Sequence, residues 1–148
     1  MNFYEFTQNN SGGSWVTDEH LAHRVVIEAN NEEEAMEKAQ SLGVYFDGCS
    51  SGQDCGCCGD RWNRPHEIVL PYRYGTFGKE EAEKIAKKYK SDFGKTTWRF
   101  MNTHEPDPDK YDVIFTKVES YMKYLADEYG TTNPDARIFY KNGKVKEI

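Results

Sequence analysis

All four cysteines of the chain fall in one stretch, DGCSSGQDCGCCGDRW from Asp47 to Trp62, and three of them, Cys55, Cys57 and Cys58, lie within four consecutive positions. Thiolates are zinc ligands, and the Cys55–Cys58 spacing lets two of them reach one tetrahedral ion. One such pair is half of a zinc signature. Cys49, Cys57 and His66 are the donors that could complete it, with His20, His23 and His104 farther off. The chemistry this predicts is a structural zinc. A tight loop of reduced, unliganded thiols is the competing reading. A redox pair is disfavoured, because the cysteines sit in a glycine-rich loop and not at a helix N-terminus that would lower a thiol pKa.

Arg61 and Trp62 follow the cysteines directly. A guanidinium offers planar, permanently charged donors to a phosphate, and an indole offers a face on which a base can stack. The plainer reading of Trp62 is a plug that seals a small core. Arg64, Tyr72, Arg73 and Tyr74 continue the mixture of positive and aromatic side chains, and Arg24 with His20 and His23 could join them in space. Near the N-terminus, Asn9, Asn10, Ser11, Gly12 and Gly13 form a turn by composition. Its backbone N–H groups could cradle a phosphate or carboxylate, or it could be an ordinary hairpin turn. The ligand-binding set expected is therefore Asn9, Asn10, Ser11, Gly12, Gly13, Arg24, Arg61, Trp62 and Arg73.

The elements that must position these residues are read from periodicity. Residues 2–8 form a strand, and Ser14–Thr17 a second one completing an N-terminal hairpin. Residues 22–29 form a strand with Val25 and Ile27 opposite Arg24 and Val26. Asn31 and Glu34 mark a helix start, and Gly43 its stop. Val44–Phe46 is a short strand entering the cysteine loop. A strand over 66–73 is interrupted by Pro71. A helix is expected over 79–93, a strand over 96–101, and a third helix from about Asp109 to Tyr129. Asn142-Gly143 predicts a two-residue hairpin turn between Arg137–Tyr140 and Lys144–Ile148. The fold class expected is α+β, with three helices packed on a mostly antiparallel sheet in a single domain spanning 1–148.

Composition narrows the function classes. The chain has 148 residues and a net charge of −6, so it lacks the basic face a long nucleic acid requires. Ten Tyr, eight Phe and three Trp supply buried area that a 37% hydrophobic fraction would otherwise lack. No apolar run approaches a membrane span, and the N-terminus has no leader pattern, so a cytoplasmic location is expected. No P-loop, nucleophile elbow, H-E-x-x-H or deaminase pattern occurs, which points to binding and not to catalysis.

Three motifs carry a resemblance: YEFTQNNSGGSW near the N-terminus, the DCGCCGDRW loop, and the C-terminal ARIFYKNGKVKEI. On these the chain resembles small uncharacterised proteins encoded by tailed bacteriophages. The resemblance implies action on host defence or host takeover, in the cytoplasm of an infected bacterium, by binding. Two functions follow from it. One is a sponge that sequesters a small anionic, nucleotide-derived immune signal. The other is a zinc-stabilised module that docks on a host defence protein. An enzyme degrading such a signal is a third. An oligomer is compatible with all of them.

Overall fold

The computed structural model describes residues 2–9, 15–54, 56, 59–96 and 109–148. In chain order the elements are β1 (Asn2–Thr7), β2 (Arg24–Glu28), α1 (Glu32–Leu42), α2 (Gly48–Ser51), β3 (His66–Val69) and β4 (Tyr72–Phe77). They continue with α3 (Lys79–Lys88), β5 (Asp92–Lys95), β6 (Tyr111–Phe115), α4 (Val118–Tyr129), β7 (Ala136–Phe139) and β8 (Val145–Glu147). The class is α+β, and the pairing is antiparallel except between β2 and β7. The strands divide between two sheets, and the chain between two compact units: Met1–Val69 with Leu125–Ile148, and Leu70–Tyr124.

The first unit holds a five-stranded sheet in the order β3-β1-β2-β7-β8. Tyr4, Phe6, Val25, Ile27 and Phe139 pack with Ala35 and Ala39 of α1, Val44 and Trp62 in one apolar cluster. Helix α1 forms where its signals say it should. The Asn31 side chain accepts the Glu34 N–H at 2.8 Å, and Gly43 closes the helix at φ 115°. Gly43 N–H bonds the Gln40 carbonyl at 3.1 Å. Val44–Phe46 is not a strand; the chain passes through Asp47 at φ 56° into the one-turn helix α2.

The second unit holds a three-stranded antiparallel sheet, β4-β6-β5, with α3 beside it. Its core is aromatic: Tyr74, Phe115, Tyr121 and Tyr124 meet with ring centroids 5.2–6.5 Å apart. Two helix expectations are corrected here. The second helix ends at Lys88, because Lys90 turns the chain through φ 52°, and Phe93 and Gly94 lie in β5. The third helix begins only at Val118, and Tyr111–Phe115 form the central strand β6. Tyr, Val, Ile and Phe there fit a half-buried pleated surface better than a helix face.

At the C-terminus the hairpin is present, with a three-residue loop. Gly143 N–H bonds the Tyr140 carbonyl at 3.0 Å and Tyr140 N–H bonds the Lys144 carbonyl at 2.9 Å. Gly143, at φ 89°, takes the left-handed position that such a loop needs. The expected strand at Ser14–Thr17 is not formed by residues 15–17; β1 pairs instead with β2 and β3. Most of the strand expected over 96–101 lies outside the described residues. Among the described residues no helix is long and apolar enough to cross a membrane.

Candidate functional site

Beyond Thr7 the chain continues in register against the segment that follows the cysteines. Gln8 and Trp62 form an antiparallel bridge, Asn63 N–H bonds the Thr7 carbonyl at 3.0 Å, and Asn9 N–H bonds the Arg61 carbonyl at 2.5 Å. The start of the asparagine–glycine turn and Arg61 therefore lie side by side, although they are far apart in sequence. Asn10, Ser11, Gly12 and Gly13 lie outside the described residues. So do Cys55, Cys57 and Cys58.

Gln8 organises this junction. Its side-chain amide accepts the Val16 N–H at 2.8 Å and donates to the Val16 carbonyl at 2.6 Å, imitating one rung of a β-ladder. It also donates to the Ala22 carbonyl at 3.0 Å. The loop leaving β1 is thus closed at its base by a buried amide. Arg61 Nη1 stands 3.5 Å from the same Gln8 oxygen, so Arg61 and the Trp15–Val16 segment share one anchor.

Two carboxylates shape the cysteine loop. Asp54 accepts the Tyr45 hydroxyl and the Arg61 N–H, both at 2.8 Å. Burial, then the hydrogen bond and charge of Asp54, push the Tyr45 phenol above its ordinary pKa, and Arg61 opposes them. Asp54 passes so close to Gly48 that a Cβ there would stand 1.8 Å from its Oδ2, which only glycine allows. Asp60 accepts the Cys49 N–H at 3.0 Å. The Cys49 backbone and thiol together hold the Asp60 carboxyl below its usual range. Arg64 pairs with Asp47 at 3.0 Å and lies over the Phe46 ring.

Of the expected metal donors, Cys49 is half-buried with its thiol engaged with Asp60, and His66 is exposed at the start of β3. Among the described residues no three His, Cys, Asp or Glu side chains gather as a metal-binding group.

Three expected ligand residues are placed differently. Trp62 is 2% exposed within the core cluster, so its indole seals the unit and presents no face to a base. Arg24 is 8% exposed and already neutralised: it donates to Asp135, stands 3.4 Å from Glu5, and lies 3.2 Å from His23 Nδ1. Arg73 belongs to the second unit, where it pairs with the buried Asp112 at 3.1 Å and donates to the Lys95 carbonyl.

Buried around Arg24 is a network that sequence reasoning missed. Asp135 also accepts the Thr131 N–H at 2.9 Å, and lies 3.4 Å from His23. Burial raises its pKa, but His23, the Thr131 amide and Arg24 outweigh burial and hold the carboxyl below its ordinary value. One guanidinium faces two carboxylates, and Glu5 is the loser: burial, partly offset by Arg24, pushes it up. His23 carries on its ring the half-exposed Trp15, centroid to centroid 4.3 Å. Trp15 ends the motif YEFTQNNSGGSW and packs on His23.

The chain is thus an α+β protein in which the buried Gln8 amide holds Val16 and Ala22 and stands beside Arg61. A family model described as a domain of unknown function (DUF7296) matches residues 1–107, and the chain belongs to that family. The matched stretch contains the turn, all four cysteines, Trp15 and Arg61. No curated protein and no solved structure matches it.

Proposed function

We propose that this protein is a non-catalytic binder of a small anionic nucleotide, held where the asparagine–glycine turn meets Arg61. The observation that supports this most is the backbone pairing of Asn9, the first residue of the asparagine–glycine motif, with Arg61, a permanent cation. The aromatic contribution comes from Trp15, with His23 behind it. Trp62 and Arg24 have no part in it. A guanidinium supplies planar donors for phosphate oxygens, and a half-exposed indole supplies a stacking face. In the phage setting that the motifs suggest, such a binder sequesters a nucleotide-derived defence signal in the cytoplasm of the infected host.

A thermal-shift panel of cyclic dinucleotides, ADP-ribose-type ligands and mononucleotides tests the reading, with chromatography of each mixture after incubation. At ligand concentrations about 100 times Kd, binding adds roughly 2.7 kcal/mol and raises Tm. One ligand class is expected to raise Tm and to be recovered unchanged. Recovery of a cleaved product would make the protein an enzyme. No shift across the panel would leave the zinc-stabilised docking module, for which Cys49 and His66 are the described donors and zinc content per chain is the readout.

A further inference from the structure

The end of the five-stranded sheet away from Arg24 carries a recess whose described lining includes none of Asn9, Trp15, Cys49 or Arg61. Arg24 and Ala136 begin β2 and β7; Glu28 and Phe139 end them. These two strands are the sheet's parallel pair, and crevices at the carboxyl ends of parallel strands are recurrent ligand sites. Here the crevice has a volume of about 300 Å³, large enough for an amino acid or a dipeptide. Ile27, Ala29 and Phe139 line its apolar part.

Around that apolar part stand two carboxylates, Glu28 and Glu34, and two ammonium groups, Lys38 and Lys141. A polar chain joins Glu28, Lys141 and Glu34. Lys141 N–H donates to Glu28 at 2.9 Å, the Lys141 ammonium donates to the Asn30 side-chain Oδ1, and the Asn30 side-chain Nδ2 donates to Glu34 at 3.1 Å. A phosphate placed here would lie against Glu28 and Glu34, and a polycation against Lys38 and Lys141. Only a ligand carrying both signs satisfies the recess. Like-charge juxtaposition is what excludes the rest.

We infer that this crevice binds a zwitterion with an apolar body, a free amino acid or a dipeptide. Its carboxylate meets Lys38 and Lys141, its ammonium meets Glu28 and Glu34, and its side chain lies toward Ile27, Ala29 and Phe139. The site is independent of the nucleotide reading and stands or falls separately.

Calorimetry and saturation-transfer NMR on the full chain test it, using L-leucine, L-phenylalanine and leucyl-phenylalanine against their N-acetyl and carboxamide forms. Saturable binding of the zwitterions is expected, weakened at least about tenfold by blocking either end. Lys38→Gln should weaken the free forms and leave the carboxamides unaffected, and Glu34→Gln should do the same for the N-acetyl forms. Both side chains are exposed, so circular dichroism should match the parent. No saturable binding up to about 10 mM would overturn the proposal. So would blocked forms that bind as well as free ones, or a nucleotide that competes at this crevice.

Discussion

At the scale of single residues, the decisive facts are partners that lie far away in sequence. Arg24 and Asp135 are separated by 111 positions, and the pair is buried with Glu5 and His23 beside it. Removing one member of a buried pair leaves an uncompensated charge, which typically costs about 3–5 kcal/mol. Asp135→Ala is therefore expected to destabilise the protein by that amount, measured by urea unfolding, whereas Arg64→Ala, whose pair with Asp47 is exposed, should cost under about 1 kcal/mol. Equal costs would remove the buried network from the account. The same distance explains what the residue types alone could not tell. Arg24 and Arg61 read alike as cations, and Trp15 and Trp62 alike as aromatics. Only the fold shows that Arg24 is neutralised and Trp62 sealed in, while Arg61 and Val16, the neighbour of Trp15, share the Gln8 anchor.

At the scale of elements, legibility followed the strength of local punctuation. Asn31 with Glu34, and Gly43, bracket α1, and Pro71 separates β3 from β4. Where punctuation was weak, period decided wrongly. Ile114, Val118, Tyr121, Met122 and Leu125 fall at helical spacing, so one helix absorbed β6 as well as α4. The missing stop was at Thr116–Lys117, which carries neither Gly nor Pro. The C-terminal hairpin was legible in place, and its loop is one residue longer than Asn-Gly alone suggests. Its strand β7 buries Ile138 and Phe139 and pairs with the interior strand β2. Deleting residues 137–148 should accordingly abolish cooperative thermal unfolding. A truncated chain that melts like the parent would make the hairpin an appendage.

At the scale of the whole molecule, the buried charges link stability to pH. The folded-state carboxyl of Asp135 is held below its unfolded value, so its contribution is present above the ordinary carboxylate range and fades as pH falls through it. Glu5 has the opposite sign. Its raised folded-state pKa favours the fold at low pH, and that contribution is lost as pH rises through the folded value. The stability gap between the parent and Asp135→Asn should therefore narrow from pH 7 toward pH 3, followed by urea midpoints. The gap between the parent and Glu5→Gln should move the other way. A constant gap in both would mean that neither carboxyl is coupled to folding.

We propose that a small anionic nucleotide binds where Asn9 meets Arg61. Isothermal calorimetry with the ligand class that raises Tm tests it most directly, comparing the parent with Arg61→Ala, Trp15→Ala and Trp62→Phe. Loss of a charge-assisted hydrogen bond costs about 1.5–3 kcal/mol, and loss of a stacking face about 1–3 kcal/mol. Arg61→Ala and Trp15→Ala should each weaken binding by roughly tenfold or more at unchanged stoichiometry. Trp62→Phe, which acts on the core, should lower stability and leave the affinity of the folded protein intact. Full affinity in both Arg61→Ala and Trp15→Ala would contradict the claim.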